Sequence, residues 1–396
     1  MKIITRTVWI LSLVSLFTDV ASEMLYPVMP VYLKEIGFSI LLIGILEGVA
    51  EATAGLSKSY FGKLSDISGK RLPFVQFGYL LSAISKPMMA AFIFPVWVFF
   101  ARAIDRLGKG IRTGARDALL SDEATPETKG RVFGLHRAMD TLGAVIGPAI
   151  ALLYLYLNPG DYKPLFIIAF VPGILAISFT FFINEKNKNK TGIRLKAASV
   201  FSFVQYWKES PGSYKKLVTG LLAFTLINSS DVFLLLKVKE AGLGDTSVIG
   251  VYIFYNLVYA IAAYPLGRLS DKIGFKKTFL IGLILFACVY TGMSFSHELF
   301  MFFILFFLYG VYAAATESVA KAWISNITDK KDTATAIGTF TGFQSLCTMI
   351  ASALAGWTWM MYGAAITFLF SGMITVVIAI YIFFTVSSEN HSGTNK

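Results

Sequence analysis

Arg102-Ala103-Ile104-Asp105-Arg106-Leu107-Gly108-Lys109-Gly110-Ile111-Arg112-Thr113-Gly114-Ala115-Arg116-Asp117 is the stretch on which the fold of this chain turns. Only about ten apolar residues, Pro95 to Ile104, lead into it, roughly half of what a membrane-crossing helix needs. By itself that would end the apolar run in a charged loop. Two features oppose a loop. Arg102, Asp105, Arg106, Lys109, Arg112 and Arg116 step by three or four and so form one helical stripe. The remaining face keeps Ala103, Leu107, Gly108, Gly110, Ile111, Gly114 and Ala115, mostly small residues that let a neighbouring helix come close. We therefore read a spanning helix with its charges turned inward. Intramembrane charge is costly and normally lines a polar cavity. The chain is expected to move a solute through a membrane.

Composition agrees with that setting. Of 396 residues, 56% are hydrophobic and only 15% charged, with a mean hydropathy of +0.66. A soluble chain of this length carries more charge. Apolar runs of about twenty residues recur throughout, which defines an all-α polytopic membrane protein. The net charge of +11 would suggest nucleic acid in a soluble chain. Here the Lys and Arg sit largely in loops on one side, the positive-inside bias, so no nucleic-acid partner is expected. Cys288 and Cys347 lie in apolar runs, and His136, His297 and His391 are scattered. Neither a disulfide framework nor a metal site is expected. Met1 to Arg6 is short and basic, and the run after it has no convincing cleavage site, so it reads as a retained first helix.

Twelve transmembrane helices are expected near 7–33, 40–61, 73–94, 96–119, 131–156, 164–184, 216–237, 246–266, 277–296, 299–325, 336–358 and 363–385. Parity supports the count: the basic turn Lys70-Arg71 and the basic stretch Lys186 to Lys216 share a side only if the fourth segment crosses. The expected organisation is two pseudo-symmetric six-helix bundles, 1–184 and 217–386. A cytoplasmic linker at 185–216 joins them, and a polar tail at 387–396 follows. Both termini are expected in the cytoplasm, in the cell (inner or plasma) membrane, with the protein a monomer.

The halves repeat. Gly62-x-x-x-Asp66-x-x-Gly69-Lys70-Arg71 returns as Gly267-x-x-x-Asp271-Lys272-x-Gly274-Phe275-Lys276-Lys277. Lys34-Glu35-Ile36-Gly37 returns as Lys239-Glu240-Ala241-Gly242 at the same offset, and several matches at one offset indicate duplication. Twelve spans, a basic middle loop and a doubled Gly-x-x-x-Asp turn resemble the major facilitator superfamily of secondary transporters across the whole chain. Ile67 departs from that family's pattern, which has a basic residue there; the second copy keeps Lys272. The resemblance implies that this turn joins helices two and three as a cytoplasmic gating latch. Asp66 and Asp271 would then face a neighbouring helix N-terminus or an arginine, with Arg71 part of the same gating turn. Arg106-x-x-x-Gly110 resembles the family's fourth-helix motif, whose arginine takes part in proton coupling. Gly143-x-x-x-Gly147-Pro148 is similar to the motif of exporters that exchange substrate for protons, although Ile150 and Ala151 stand where glycines are usual. Physically, that motif supplies a close-packing groove and a local bend.

Further charges sit at helical spacing inside apolar runs. They are Asp19 and Glu23 in the first segment, Glu47, Glu51 and Lys58 in the second, Lys86 in the third, and Arg137 and Asp140 in the fifth. A midspan carboxyl is either paired or protonated, which is what a reversible proton carrier requires. Asp19 or Glu23, opposed by Arg106, is the expected carrier, with Glu47 and Glu51 next. A purely structural ion-pair network is the competing reading. The second half is quieter, offering Asn228, Asp231, Asn256 and Glu317 among Tyr252, Tyr255, Tyr259, Tyr312 and Trp323. Glu317 and Lys321, four apart, are candidates to pair.

No Gly-x-Ser-x-Gly, His-Glu-x-x-His or Walker sequence is present, so no enzyme and no cofactor are expected. The expected function is proton-coupled export of a small amphiphilic or anionic organic molecule by alternating access. Uptake of an organic anion, or lipid flipping, is the alternative.

Overall fold

The computed structural model describes residues 4–185 except 27, 30, 31, 34, 35 and 39, then residues 202–243 and 245–386; for 40–52, 56, 202, 203, 245, 246 and 249 it describes the backbone alone. The expected linker therefore lies outside the described residues between 186 and 201, as does the tail from 387. The described residues are helical, with no strand among them. In order they form α1 (Arg6–Leu25), α2 (Ile40–Ser68), α3 (Leu72–Ala91), α4 (Pro95–Asp122), α5 (Lys129–Leu157), α6 (Lys163–Thr180) and α7 (Ser202–Glu209). Then come α8 (Gly212–Thr225), α9 (Val232–Glu240), α10 (Asp245–Ile273), α11 (Phe275–Phe295), α12 (Leu299–Ile327) and α13 (Thr333–Thr385). Seven of them are long and apolar enough to cross a membrane by composition. Since lipid offers backbone groups no partner, such segments must be helical.

The stretch that opened the argument lies in α4, unbroken for 28 residues. Pro95 starts the helix at a position where its missing N–H costs nothing. The small residues act as the sequence suggests. A Cβ on Gly108 would stand 2.6 Å from the Gly78 carbonyl of α3, and one on Gly114 3.2 Å from the Gly62 Cα of α2. The first distance leaves room only for hydrogen, and the second is tight enough that a side chain there would push on its neighbour.

One segment departs from the span read in the sequence. The seventh was expected to run unbroken over 216–237, but helix stops at Thr225 and resumes at Val232. The intervening Asn228, Ser229, Ser230 and Asp231 compete for backbone hydrogen bonds and favour caps over helix interiors. The last two expected spans are present as two helices that run together within α13 and meet at a kink at Gly363, at φ 83° and ψ 168°. Only glycine adopts that conformation without strain.

Close contacts divide the chain into two compact units. One comprises Met1–Ala124, Met139–Lys208 and Thr328–Ser345; the other comprises Thr125–Ala138, Glu209–Ile327 and Leu346–Lys396. Each unit thus takes in one segment from the opposite half of the sequence. In the first, α4 packs on α2 and α3, and α6 on α1 and α3. Its core joins Val20, Met24, Met89, Val98, Ala151 and Phe166. In the second, α12 packs on α10 and α11 around buried Phe279, Phe286, Tyr290, Phe302 and Trp323.

Candidate functional site

In the first unit α4 carries the charge. Asp105 is buried and accepts from the Lys86 ammonium at 2.7 Å and from the Ser85 hydroxyl at 3.3 Å. Its other oxygen lies 3.7 Å from Arg102, and Arg106 acts on it electrostatically. A single acid thus serves several bases. Two turns further, the Arg112 guanidinium lies over the Tyr79 ring, 4.6 Å from its centroid, and donates to the Ser82 hydroxyl. Arg116 chelates Asp117 Oδ1 through Nε and Nη2 at 3.0 and 2.9 Å, and its Nη1 reaches the Ser15 hydroxyl of α1 at 3.5 Å.

Ser15 in turn donates to Asp140 on α5, so one hydroxyl links Arg116 to a carboxyl. Asp19, one turn on from Ser15, lies within hydrogen-bond reach of Asp140, with Glu23 and Lys109 as further electrostatic neighbours. The sequence reading opposed Asp19 or Glu23 with Arg106. Lys109 and Arg112 act electrostatically on Asp19, and Arg106 acts at Asp105.

The Gly143-x-x-x-Gly147-Pro148 motif explains why α1 and α5 meet at this level. A Cβ on Gly143 would fall 2.6 Å from the Leu16 carbonyl and 2.8 Å from the Asp19 Cβ. One on Gly147 would fall 2.7 Å from the Met24 nitrogen and the Val20 carbonyl. Only glycine permits this approach, which presses α5 against the turns of α1 that bear Asp19 and Glu23. Lys58 of α2 donates to Ser345 at 3.0 Å. The side chains of Glu47 and Glu51 lie outside the described residues.

The doubled turn has two equivalent environments, one per unit. Asp66 accepts from the Thr335 amide at 2.7 Å and the Thr335 hydroxyl at 2.8 Å in the first turn of α13, and from Arg71 at 3.0 Å. Asp271 accepts from the Gly130 amide at 2.7 Å and the Arg131 amide at 3.0 Å in the first turn of α5, and from the Arg131 guanidinium at 2.9 Å. Both acids satisfy amides that a helix start leaves without partners. Gly62 and Gly267 sit one turn before them. A Cβ on Gly62 would be 2.6 Å from the Ala334 carbonyl, and Gly267 abuts the Gly130 carbonyl. α2, with 29 residues, rises about 43 Å against a hydrocarbon core of about 30 Å, so Asp66 lies beyond the apolar run. Burial pushes its carboxyl up to about 6, against Arg71 and the Thr335 hydrogen bonds, which favour the anion.

The second unit holds the remaining candidates. Asp231, at the start of α9, accepts from the Tyr309 hydroxyl at 2.7 Å. Asn228 donates to Tyr312 at 2.9 Å. Asn256 donates to the Tyr252 carbonyl one turn back, at 3.0 Å, which is a local tie. Glu317 pairs with Arg137 rather than with Lys321, and Arg137 also donates to Tyr259. The sequence reading placed Arg137 only as a charge in the fifth apolar run; its partners lie far along the chain, and no local pattern reveals them. Tyr255, Tyr259, Tyr290, Tyr309 and Tyr312 are all buried. Among the described residues no His, Cys, Asp and Glu cluster suits a metal.

An all-helical membrane chain with glycine-mediated helix contacts, buried charge and a duplicated Gly-x-x-x-Asp turn has the make-up of a secondary transporter. The model of the Major Facilitator Superfamily matches residues 11–258 and 237–396, and the chain belongs to that family. An uncharacterised MFS-type transporter of Methanocaldococcus jannaschii is 31% identical over 390 residues, 96% of this chain and 95% of the relative. A protein of Lactococcus lactis named a multi-drug resistance efflux pump PmrA homolog is 23% identical over 378 residues, 88% of each chain. The crystal structure of the human organic anion transporter MFSD10 (TETRAN) superposes with a TM-score of 0.77 at 15% identity, covering 95% of this chain and 99% of that one. Members of this family are transporters rather than enzymes, binding small molecules within the membrane.

Proposed function

We propose that the chain is a proton-coupled antiporter that exports a small amphiphilic organic molecule across the cell membrane by alternating access, its termini in the cytoplasm. The observation that carries this reading is the meeting of Asp19 and Asp140 beside Ser15 and Arg116, inside helices apolar enough to span. Two carboxyl groups in contact repel when both are ionised, so such a pair favours holding one proton between them. Arg116 and Lys109 favour its release, because each stabilises the anion. A pair balanced in this way suits a carrier that must load and unload each cycle. Export is supported by the Gly-x-x-x-Gly-Pro motif and by the printed name of the Lactococcus relative.

The test uses purified protein. A thermal-shift screen of organic cations and anions at two pH values selects a ligand. That ligand is then offered to proteoliposomes carrying an imposed pH gradient. Accumulation on the acidic side, abolished by a protonophore, is expected. Accumulation on the alkaline side would mean symport and overturn the exchange, and accumulation indifferent to the protonophore would remove the proton.

A further inference from the structure

The second unit contains a cation already bound, supplied by the chain itself. The Arg137 guanidinium lies over the Tyr259 ring, 5.0 Å from its centroid, donates to the Tyr259 hydroxyl and pairs with Glu317. Those are the three contacts that hold a planar organic cation in general: a π face, a phenol oxygen and a carboxylate. Behind them stands a second acid. Asp231 is within electrostatic range of both Arg137 and Glu317 and within hydrogen-bond reach of Tyr255 as well as Tyr309. The Tyr255 and Tyr309 rings lie 5.0 Å apart, tilted by 38°, and those of Tyr255 and Tyr259 lie 6.2 Å apart, so one aromatic wall runs from Asp231 to Arg137.

Three further observations point to an occupant. The Arg137 and Glu317 side chains are 31% and 44% exposed, so their contact can be reached and exchanged. Asn228 Oδ1 is a buried acceptor with no hydrogen-bond partner, and it calls for an N–H donor. The backbone beside it, between Thr225 and Val232, is not helical. Irregular backbone at membrane depth is tolerated where it lines a cavity, and its free carbonyls favour cations. A carboxylate ligand would instead face Asp231 and Glu317 together.

We propose that Asp231, Glu317, Asn228 and the wall of Tyr255, Tyr259 and Tyr309 bind a small organic cation with N–H donors on an apolar body, and that Arg137 is its built-in competitor. This rests on the reading of the chain as a transporter of amphiphilic molecules and names the charge of its ligand. Displacing Arg137 frees a long flexible side chain, so ligand arrival changes what α5 is tied to. The tie and the site are one device.

Binding of benzamidinium to the purified full-length protein tests this by calorimetry, with benzoate as the anionic counterpart. No pH gradient or transport is involved, so failure of proton coupling leaves the result intact. Arg137→Gln removes the competitor and should bind benzamidinium about tenfold more tightly, whereas Glu317→Gln and Asp231→Asn should each bind about tenfold more weakly. Arg137→Lys keeps a charge opposite Glu317 but gives up the planar fork that lies over the Tyr259 ring, and leaves every proposed ligand contact in place; it should tighten binding by a smaller factor even where Arg137→Gln is unstable. A merely structural Arg137–Glu317 pair predicts lower stability in Arg137→Gln and no gain in affinity. Unchanged or weaker binding in both Arg137→Gln and Arg137→Lys would overturn the proposal. So would benzoate binding as tightly as benzamidinium, or no benzamidinium binding to either variant.

Discussion

Replacing Asp105 with Asn isolates the energetics of the α4 network. In the folded chain this carboxylate holds the Lys86 ammonium at 2.7 Å and lies 3.7 Å from Arg102, and both bases are buried. Asn keeps the shape and removes the charge, so Lys86 and Arg102 lose their counter-ion in a low-dielectric interior. Removing one partner of a buried pair costs about 3–5 kcal/mol, mostly the price of the charge left behind. At about 2–4 °C per kcal/mol for large domains, the melting temperature of the purified protein should fall by roughly 6 °C or more. Lys86→Met alone leaves Asp105 with Arg102 and Arg106 and should cost less. The double variant Asp105→Asn with Lys86→Met should be more stable than Asp105→Asn alone, with a coupling of about 1–3 kcal/mol. Thermal unfolding followed by intrinsic fluorescence in one detergent reads all four proteins. Equal stability of wild type and Asp105→Asn, or strictly additive effects in the double variant, would refute the claim that Asp105 neutralises this part of α4.

Two other outcomes follow from the geometry. Gly147→Ala places a methyl group 2.7 Å from backbone atoms of Val20 and Met24, where neither can yield, and should destabilise by about 1–3 kcal/mol; Gly250→Ala, which meets nothing within 4 Å, should be neutral in the same melting assay. Asp66, at about 6 when buried against Thr335 and 3.8 ordinarily, binds a proton more tightly in the docked arrangement than when released. Docking therefore strengthens as pH falls from about 6 toward about 4 and is flat above 6. Hydrogen exchange at the Thr335 amide, corrected for intrinsic rate, should slow over that window in wild type and show no such step in Asp66→Asn.

The helical character of α4 was legible because charge and small residues each keep a three-to-four spacing, and no loop requires that. The acids of the doubled turn were legible for a similar reason: Gly-x-x-x-Asp places a close contact and a carboxylate on the same face, ready for a helix start. Two kinds of feature escaped. The break before Val232 hides inside an apolar run, and only Asn228-Ser229-Ser230-Asp231 signals it; sliding hydropathy averages that signal away. Partnerships across long sequence distance escaped as well. Glu317 had a plausible partner one turn away in Lys321, yet it pairs with Arg137, 180 residues earlier. Asp140 is linked to Ser15, 125 residues away. Local spacing decides what shares a helix face, whereas the neighbour across an interface depends on which helices pack.

The claim on which the functional account rests is that Asp19 and Asp140 carry the coupling proton. Asp19→Asn and Asp140→Asn are each reconstituted into proteoliposomes and compared in two modes with the same ligand: accumulation driven by a pH gradient, and counterflow, which needs no net proton movement. The account predicts that both variants lose gradient-driven accumulation and retain counterflow. Gradient-driven accumulation at the wild-type level in both variants would place the proton elsewhere, and loss of counterflow in both would make the pair structural or substrate-binding instead.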